Sequence, residues 1–240
     1  MVSLTLVGTI HRDPNGLPRL METLEREAPH IISLEMSEYG VAFRERTAPR
    51  LKERLLEILQ GLHGKWGYKH DRKSNTPQNP VEIGIIRAML LTLELPFEFR
   101  AIKAYCERKR IPFRCIDLSK YSQAKLKMLQ EEMITEDNVR RILASAPMDP
   151  HGEFRKHRLI ARRLSSRNAD QFLIGAYLSG KVGDGMAHRD RYMSLRIKEI
   201  LRNYKKTLHV GGWEHLLDDA GGKTLYGLLK DLRPRRILSL

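Results

Sequence analysis

Two histidines carry the strongest chemical signal in this chain, and they stand 204 positions apart: His11 closes Gly8-Thr9-Ile10-His11, and His215 closes Gly212-Trp213-Glu214-His215. Glu35, which ends the apolar run Ile31-Ile32-Ser33-Leu34-Glu35, adds a carboxylate. Two imidazoles and a carboxylate with an open position suit a borderline divalent ion such as zinc, manganese or cobalt. Such an ion lowers the pKa of its bound water from about 15.7 to about 7, which makes hydroxide available at neutral pH. The chemistry expected from these residues is hydrolysis of a peptide, ester or amide bond.

Gly-x-x-His alone is weak evidence, because it recurs at Gly67 to His70 and at Gly185 to His188. Context separates the copies. The Gly67 copy lies in the polar stretch from Lys65 to Asn75 with no strand before it, and the Gly185 copy opens a helix out of a glycine-rich loop beginning at Ser179. The first and last copies follow strand-like runs, Val2 to Val7 and Thr207 to Val210, and precede helical patterns. A glycine there lets the backbone turn sharply, so that the histidine points off the sheet edge. In open α/β sheets that carboxyl edge is where ligands bind. A right-handed, parallel β-α-β connection brings His11 and Glu35 to the same edge.

The positioning elements follow in order. Leu17, Leu20, Met21 and Leu24 mark one face of a helix that Pro29 stops, and Leu51, Leu55, Leu56 and Leu59 mark a helix within 41–63. The segment 64–80 is the most loop-like and is the candidate lid. A helix over Val81 to Leu95, a second over Phe97 to Arg110 and a strand over Pro112 to Asp117 come next. Residues 119–180 read as a helical insertion, broken near Thr135, Pro147 to Gly152 and Ser165 to Ser166. A helix beginning near His188 leads into the His209 strand, then a helix over Thr224 to Leu232 and a strand over Arg235 to Leu240. The sequence predicts one α/β domain over 1–240: a mostly parallel sheet of about five strands, with flanking helices and the insertion.

Composition narrows the classes. An apolar content of 41% is that of a soluble globular protein, and no run approaches the roughly 18 apolar residues of a membrane span. The first residues lack a basic leader and a small-residue cleavage site, so a cytoplasmic protein is expected. Cys106 and Cys115 read as small buried apolar residues rather than a disulfide. The net charge of +14 comes from cations spread through the chain, mixed with acids and without interleaved aromatics. That predicts a solvated basic surface, not a nucleic-acid partner. The expected partner is a peptide or small ester or amide substrate; oligomeric state is not legible.

With these blocks in hand the chain resembles the TraB/TIKI superfamily, which includes TraB-type pheromone-shutdown proteins, TIKI metalloproteases, erythromycin esterases and ChaN-like haem-binding proteins. The resemblance rests on the two Gly-x-x-His motifs, Glu35, the helix start Arg189-Asp190-Arg191-Tyr192-Met193, and Glu98-Phe99-Arg100-Ala101-Ile102 followed by Ile111 to Asp117. It implies an α/β core in which His11, Glu35 and His215 form a divalent-metal or hydrolytic centre supported by Arg189 and Asp190. Within that reading Glu98 or Glu214 is the candidate general base, Arg189 the oxyanion stabiliser and His209 a supporting partner. The sequence departs from the family pattern at Gly40, where an arginine is usual, and at His188, where a glutamate precedes Arg-Asp.

The resemblance also implies two other readings, the first with the same residues and the second, that of the ChaN-like relatives, with different ones. A metal-free hydrolase would use His11 or His215 as general base on water, with a glutamate orienting it. A binding protein without turnover would hold haem or iron through exposed His188 or Tyr192. No Walker loop, dinucleotide fingerprint or Cys-x-x-Cys pair competes with these.

Overall fold

The computed structural model describes residues 2–63, 84–145, 152–166, 168–180 and 185–239. In chain order the elements are β1 (Ser3–Thr9), α1 (Gly16–Glu27), β2 (Ile31–Leu34), α2 (Glu38–Arg46), α3 (Ala48–His63), α4 (Gly84–Leu93), α5 (Phe97–Lys109), β3 (Phe113–Cys115), α6 (Ser119–Met128), α7 (Glu136–Ser145), α8 (Gly152–Leu164), α9 (Gln171–Ser179), α10 (Met186–Leu201), β4 (Lys206–Gly212), α11 (Leu225–Leu228) and β5 (Arg235–Ser239). The expected α/β class holds, and the sheet is more regular than expected. All five strands are parallel, in the order β3-β2-β4-β1-β5.

Chemistry dictates this arrangement locally. β2 and β4 are buried along nearly their whole length, which is why they read as continuous apolar runs and not as alternating ones. On one face Leu4, Leu6 and Ile31 pack with Met193, Ile197 and Ile200 of α10 and with Leu225 and Leu229 of α11. Thr9 points to the other face, where its hydroxyl donates to Glu98 of α5 at 2.8 Å. On that side α1 lies so close to α5 that a β-carbon on Gly16 would meet the Phe97 ring at 2.3 Å. The connection leaving β1 runs to β2 and the one leaving β4 runs to β5, in opposite directions along the sheet. Their adjacent carboxyl ends therefore form a topological switch point, the crevice where such sheets bind ligands.

Several boundaries differ from expectation. The helix expected over 41–63 is two helices that meet at Thr47; Pro49 sits in the first turn of α3, where its missing N–H costs nothing. The strand expected over Pro112 to Asp117 is only Phe113–Cys115, an edge strand paired on one side. The helix expected over Thr224 to Leu232 is one short helix and a 3₁₀ turn.

The described chain divides into two compact units. The first comprises 1–38, 96–121 and 156–240 and contains the sheet; the second comprises 39–95 and 122–155. The second has its own core of Leu51, Leu55, Leu59, Ile86, Leu90, Leu126 and Val139. The expected insertion over 119–180 is thus shared: its middle belongs to the second unit and its ends to the first. The candidate lid over 64–80 and the Gly67 copy lie outside the described residues. Cys106 and Cys115 are free thiols, and burial pushes both up to about 11. Among the described residues no helix is long and apolar enough to cross a membrane.

Candidate functional site

β4 is the central strand, and it ends in Gly211-Gly212. Its register places Gly212 beside Thr9 of β1, and on its other side Glu35 continues β2, its N–H donating to the Val210 carbonyl at 2.9 Å. His11 follows β1 by two residues. His215 follows β4 within the 3₁₀ turn Trp213–Leu216. The three residues singled out from opposite ends of the sequence therefore arrive at one edge, and each is fixed by a carboxylate or a cation from a flanking helix.

His11 Nδ1 lies 2.8 Å from Glu98 Oε1, the oxygen that also accepts from the Thr9 hydroxyl. Glu98 stands in the first turn of α5 and is buried. His215 Nδ1 hydrogen-bonds Asp190 of α10, and its Nε2 lies 2.9 Å from Glu35 Oε1. That same glutamate oxygen accepts from Arg189 Nη2 at 2.5 Å, while Oε2 accepts the Gly212 N–H at 2.6 Å. Arg189 makes a bidentate pair with Asp117, through Nε at 3.0 Å and Nη2 at 2.8 Å. Asp117 was missed as a site residue; the signal was a carboxylate just past β3, on the same sheet edge as Glu35.

The two glycines keep the centre open. A β-carbon on Gly212 would stand 3.0 Å from His11 Nε2, 3.5 Å from Glu35 Oε2 and 3.5 Å from His215 Cδ2. One on Gly211 would meet Glu35 Oε2 at 2.9 Å and His209 Nε2 at 3.0 Å. Gly212 has an ordinary extended backbone, φ −63° and ψ 141°, so the space it leaves, and not its flexibility, is what the site uses.

Electrostatics bind the cluster. Burial works against a charge on Glu35, but His215 and then Arg189 outweigh it and hold the carboxylate well below its ordinary range. Burial likewise opposes a charge on His215, yet Glu35 and Asp190 push it up to about 10, so the metal-free ring is an imidazolium at neutral pH. For Asp190 burial is the larger influence and pushes it up, against the pull of His215. His11 is raised: desolvation is offset by Glu98 first and by Glu35. Its side chain is 53% exposed, so solvent reaches it, and Nε2 makes no hydrogen bond among the described residues.

The remaining expected residues are placed differently. His209 is fully buried on β4, with Nδ1 3.0 Å from the Ser33 hydroxyl, and burial lowers it to about 4, which keeps it neutral. Glu214 accepts the Tyr177 hydroxyl, whose ring packs on Trp213; the structure does not bring it into the cluster. Arg189 gives Nε and Nη2 to Glu35 and Asp117, which makes it an anchor of Glu35. His188 is exposed and pairs with the Tyr121 hydroxyl at 3.2 Å. Glu98 Oε2, Asp190 Oδ2 and His209 Nε2 are buried without a hydrogen-bond partner, and all three belong to side chains bordering His11, His215 or Glu35.

Among the described residues no three His, Cys, Asp or Glu side chains already stand arranged around one ion. The chemistry of the donor set nonetheless fits one. Metal-bound histidines characteristically give their other N–H to a carboxylate, and both His11 and His215 give Nδ1 to one. Comparison with protein-family models, with curated proteins and with solved structures found no match to this chain.

Proposed function

We propose that this protein is a hydrolase acting on a peptide, ester or amide bond, with a divalent ion held by His11, Glu35 and His215. The observation that carries the reading is the pair of carboxylate-backed imidazoles, Glu98–His11 and Asp190–His215, whose Nε2 atoms lie on the side of Glu35 and of the space left by Gly212. It is also the reading that the TraB/TIKI resemblance implies. When bound, the ion supplies a Lewis acid and a water acidic enough to ionise near neutral pH.

The protein's own residues divide the remaining work. Glu98 and Asp190 fix the tautomers of the two histidines. Arg189, itself gripped by Asp117, holds Glu35 in place and keeps it ionised. Glu98 Oε2, buried without a partner beside His11, is the candidate proton acceptor. Ion binding has to displace the proton that His215 shares with Glu35, which makes affinity fall as pH is lowered.

A second reading has its own support. In the metal-free state His215 donates to carboxylates through both nitrogens and has no lone pair to offer, whereas His11 Nε2 is open with Nδ1 oriented by Glu98. A His11–Glu98 dyad is the arrangement of a general base acting on water. The test is hydrolysis of a panel of chromogenic esters, amides and peptides by the wild type, by His11→Ala, and by both after chelation. Under either reading His11→Ala is expected to lose about 10²–10⁴-fold in kcat/KM. Loss on chelation, restored by one added ion, supports the metal reading, and full activity after chelation supports the dyad. Activity that survives His11→Ala unchanged excludes both.

A further inference from the structure

The opposite edge of the sheet carries a second feature. Because all five strands are parallel, every chain segment that enters a strand does so at one edge, the one away from His11, Glu35 and His215. Those entries bring together Arg110 before β3, Arg202, Lys205 and Lys206 before and at the start of β4, and Arg233 before β5. Arg110, Arg202, Lys205 and Arg233 are exposed and Lys206 is half-buried. Most acids at this edge are already taken: Glu25 by Arg108 and Lys109, Glu27 by Arg26 and Arg235, Asp231 by Lys198, Glu199 by Arg196. Glu107, in the last turn of α5, makes no ion pair among the described residues and leaves one acid against the five cations. None of the five cations makes an ion pair among the described residues.

Two of the five are held in an unfavourable backbone conformation. Arg110 ends α5 with φ 55°, and Arg233 ends the last 3₁₀ turn with φ 50°. At such left-handed helix ends glycine or asparagine is the usual residue, because a β-carbon crowds the following carbonyl. Arg12, with φ 70°, is held in the same way beyond β1 at the opposite edge, so the backbone conformation does not by itself mark the surface. What marks it is that Arg110 and Arg233 stand with Arg202, Lys205 and Lys206 at one edge, all five without an ion pair among the described residues.

We propose that this edge is a binding surface for the sugar-phosphate backbone of a double-stranded nucleic acid. The order β3-β2-β4-β1-β5 spaces the entries to β3, β4 and β5 by two strands each, giving a line of positive charge roughly 19 Å long from strand separations of about 4.8 Å. A duplex presents one negative charge per about 1.7 Å of axis, enough to face every cation on that line. Single strands are bound largely by stacking on aromatic rings. The aromatic side chains near this edge are occupied: Tyr204 packs on the core and Phe113 against Phe99. An anionic membrane needs apolar insertion as well as charge, and among the described residues the exposed large apolar side chains at this edge are the separate ones of Val2 and Leu232. The expectation of a merely solvated basic surface came from the spread of these cations along the sequence, which the parallel topology undoes.

The test is fluorescence anisotropy with a labelled duplex of about 20 base pairs, titrated at several salt concentrations. For five phosphate contacts the slope of log affinity against log salt is expected near −4 to −5. In the double variant Arg110→Gly, Arg233→Gly it is expected to shrink in magnitude by about 2, with affinity about tenfold or more lower. Glycine suits both backbone positions, so the variant's melting temperature should not fall. A charge-matched control, Arg50→Ser with Arg54→Ser, is expected to bind as the wild type does. The proposal is overturned if the duplex does not bind, if the double variant keeps the wild-type slope, if the control loses as much, or if phosphatidylserine vesicles bind more tightly than the duplex.

Discussion

Replacing Glu35 by alanine is expected to lower the melting temperature by on the order of 10 °C, the largest effect of any single substitution at the site. The side chain is 4% exposed and touches two cations, Arg189 and His215, as well as the Gly212 N–H. Arg189 keeps Asp117 and His215 keeps Asp190, so each cation loses one of two carboxylates. Breaking a buried pair outright costs about 3–5 kcal/mol, and two pairs weakened together are expected to cost about as much. At about 2–4 °C per kcal/mol for a chain of this size, that is the shift given above. An opposing effect has to be weighed: Glu35 shares the region with Glu98, Asp117 and Asp190, and losing one carboxylate relieves repulsion among the rest. Direct contacts at 2.5–2.9 Å outweigh that repulsion, so destabilisation wins. Thermal unfolding of Glu35→Ala beside Glu214→Ala, a carboxylate outside the cluster, is the measurement. A melting temperature that is unchanged or raised in Glu35→Ala would mean that the cluster is held by something else.

The second large effect is on pH dependence. His215 is raised from its ordinary 6.5 to about 10. The folded state therefore binds a proton that the unfolded state releases between those values. Its contribution is fully present below about pH 6.5 and lost as pH rises toward about 10, with an upper limit on the order of 5 kcal/mol. His209 works in the other direction. Burial lowers it to about 4, so the unfolded state binds the extra proton, and stability is lost as pH falls from about 6.5 toward 4, by up to about 3 kcal/mol. Glu35, held well below its ordinary value, adds to the acid limb below about pH 4.5. Metal-free protein is expected to be most stable near pH 6.5, with urea midpoints falling on both sides. The alkaline limb should flatten in His215→Gln. An alkaline limb that persists in that variant, or a wild-type optimum above about pH 8, contradicts the assigned charge state of His215.

How far the sequence reveals this arrangement depends on how local each cause is. β1, β2 and β4 were legible because buried parallel strands impose short apolar runs, and the turn after each was marked by a glycine or a carboxylate. That made His11, Glu35 and His215 legible together, since parallel topology alone sends all three to one edge. Contacts made by flanking helices were harder to read. Nothing in the spacing of Asp117 and Arg189, 72 positions apart, announces a bidentate pair, and Glu98 needed the helix geometry of α5 to reach both Thr9 and His11. Glu214 was misleading because it lies next to His215 in sequence, yet the tight 3₁₀ turn sends it to Tyr177. The join at Thr47 and the division of 119–180 between two units depend on packing among distant helices, which periodicity within one helix does not encode. The basic edge was hidden for the same reason, since its members are contributed by three separate loops.

The most direct measurement of the central claim is metal binding by untagged protein. After dialysis against manganese, cobalt or zinc at pH 8, bound metal is counted by mass spectrometry in the wild type, in His11→Ala, His215→Ala, and in Gly212→Ala, whose added methyl would stand 3.0 Å from His11 Nε2. The expected result is near-stoichiometric binding of at least one of these ions by the wild type alone, with release of about one proton per ion as His215 gives up its shared hydrogen. If no ion binds the wild type or raises its melting temperature, or if the variants bind equally well, His11, Glu35 and His215 are not a metal centre, and the His11–Glu98 dyad becomes the leading account of the site.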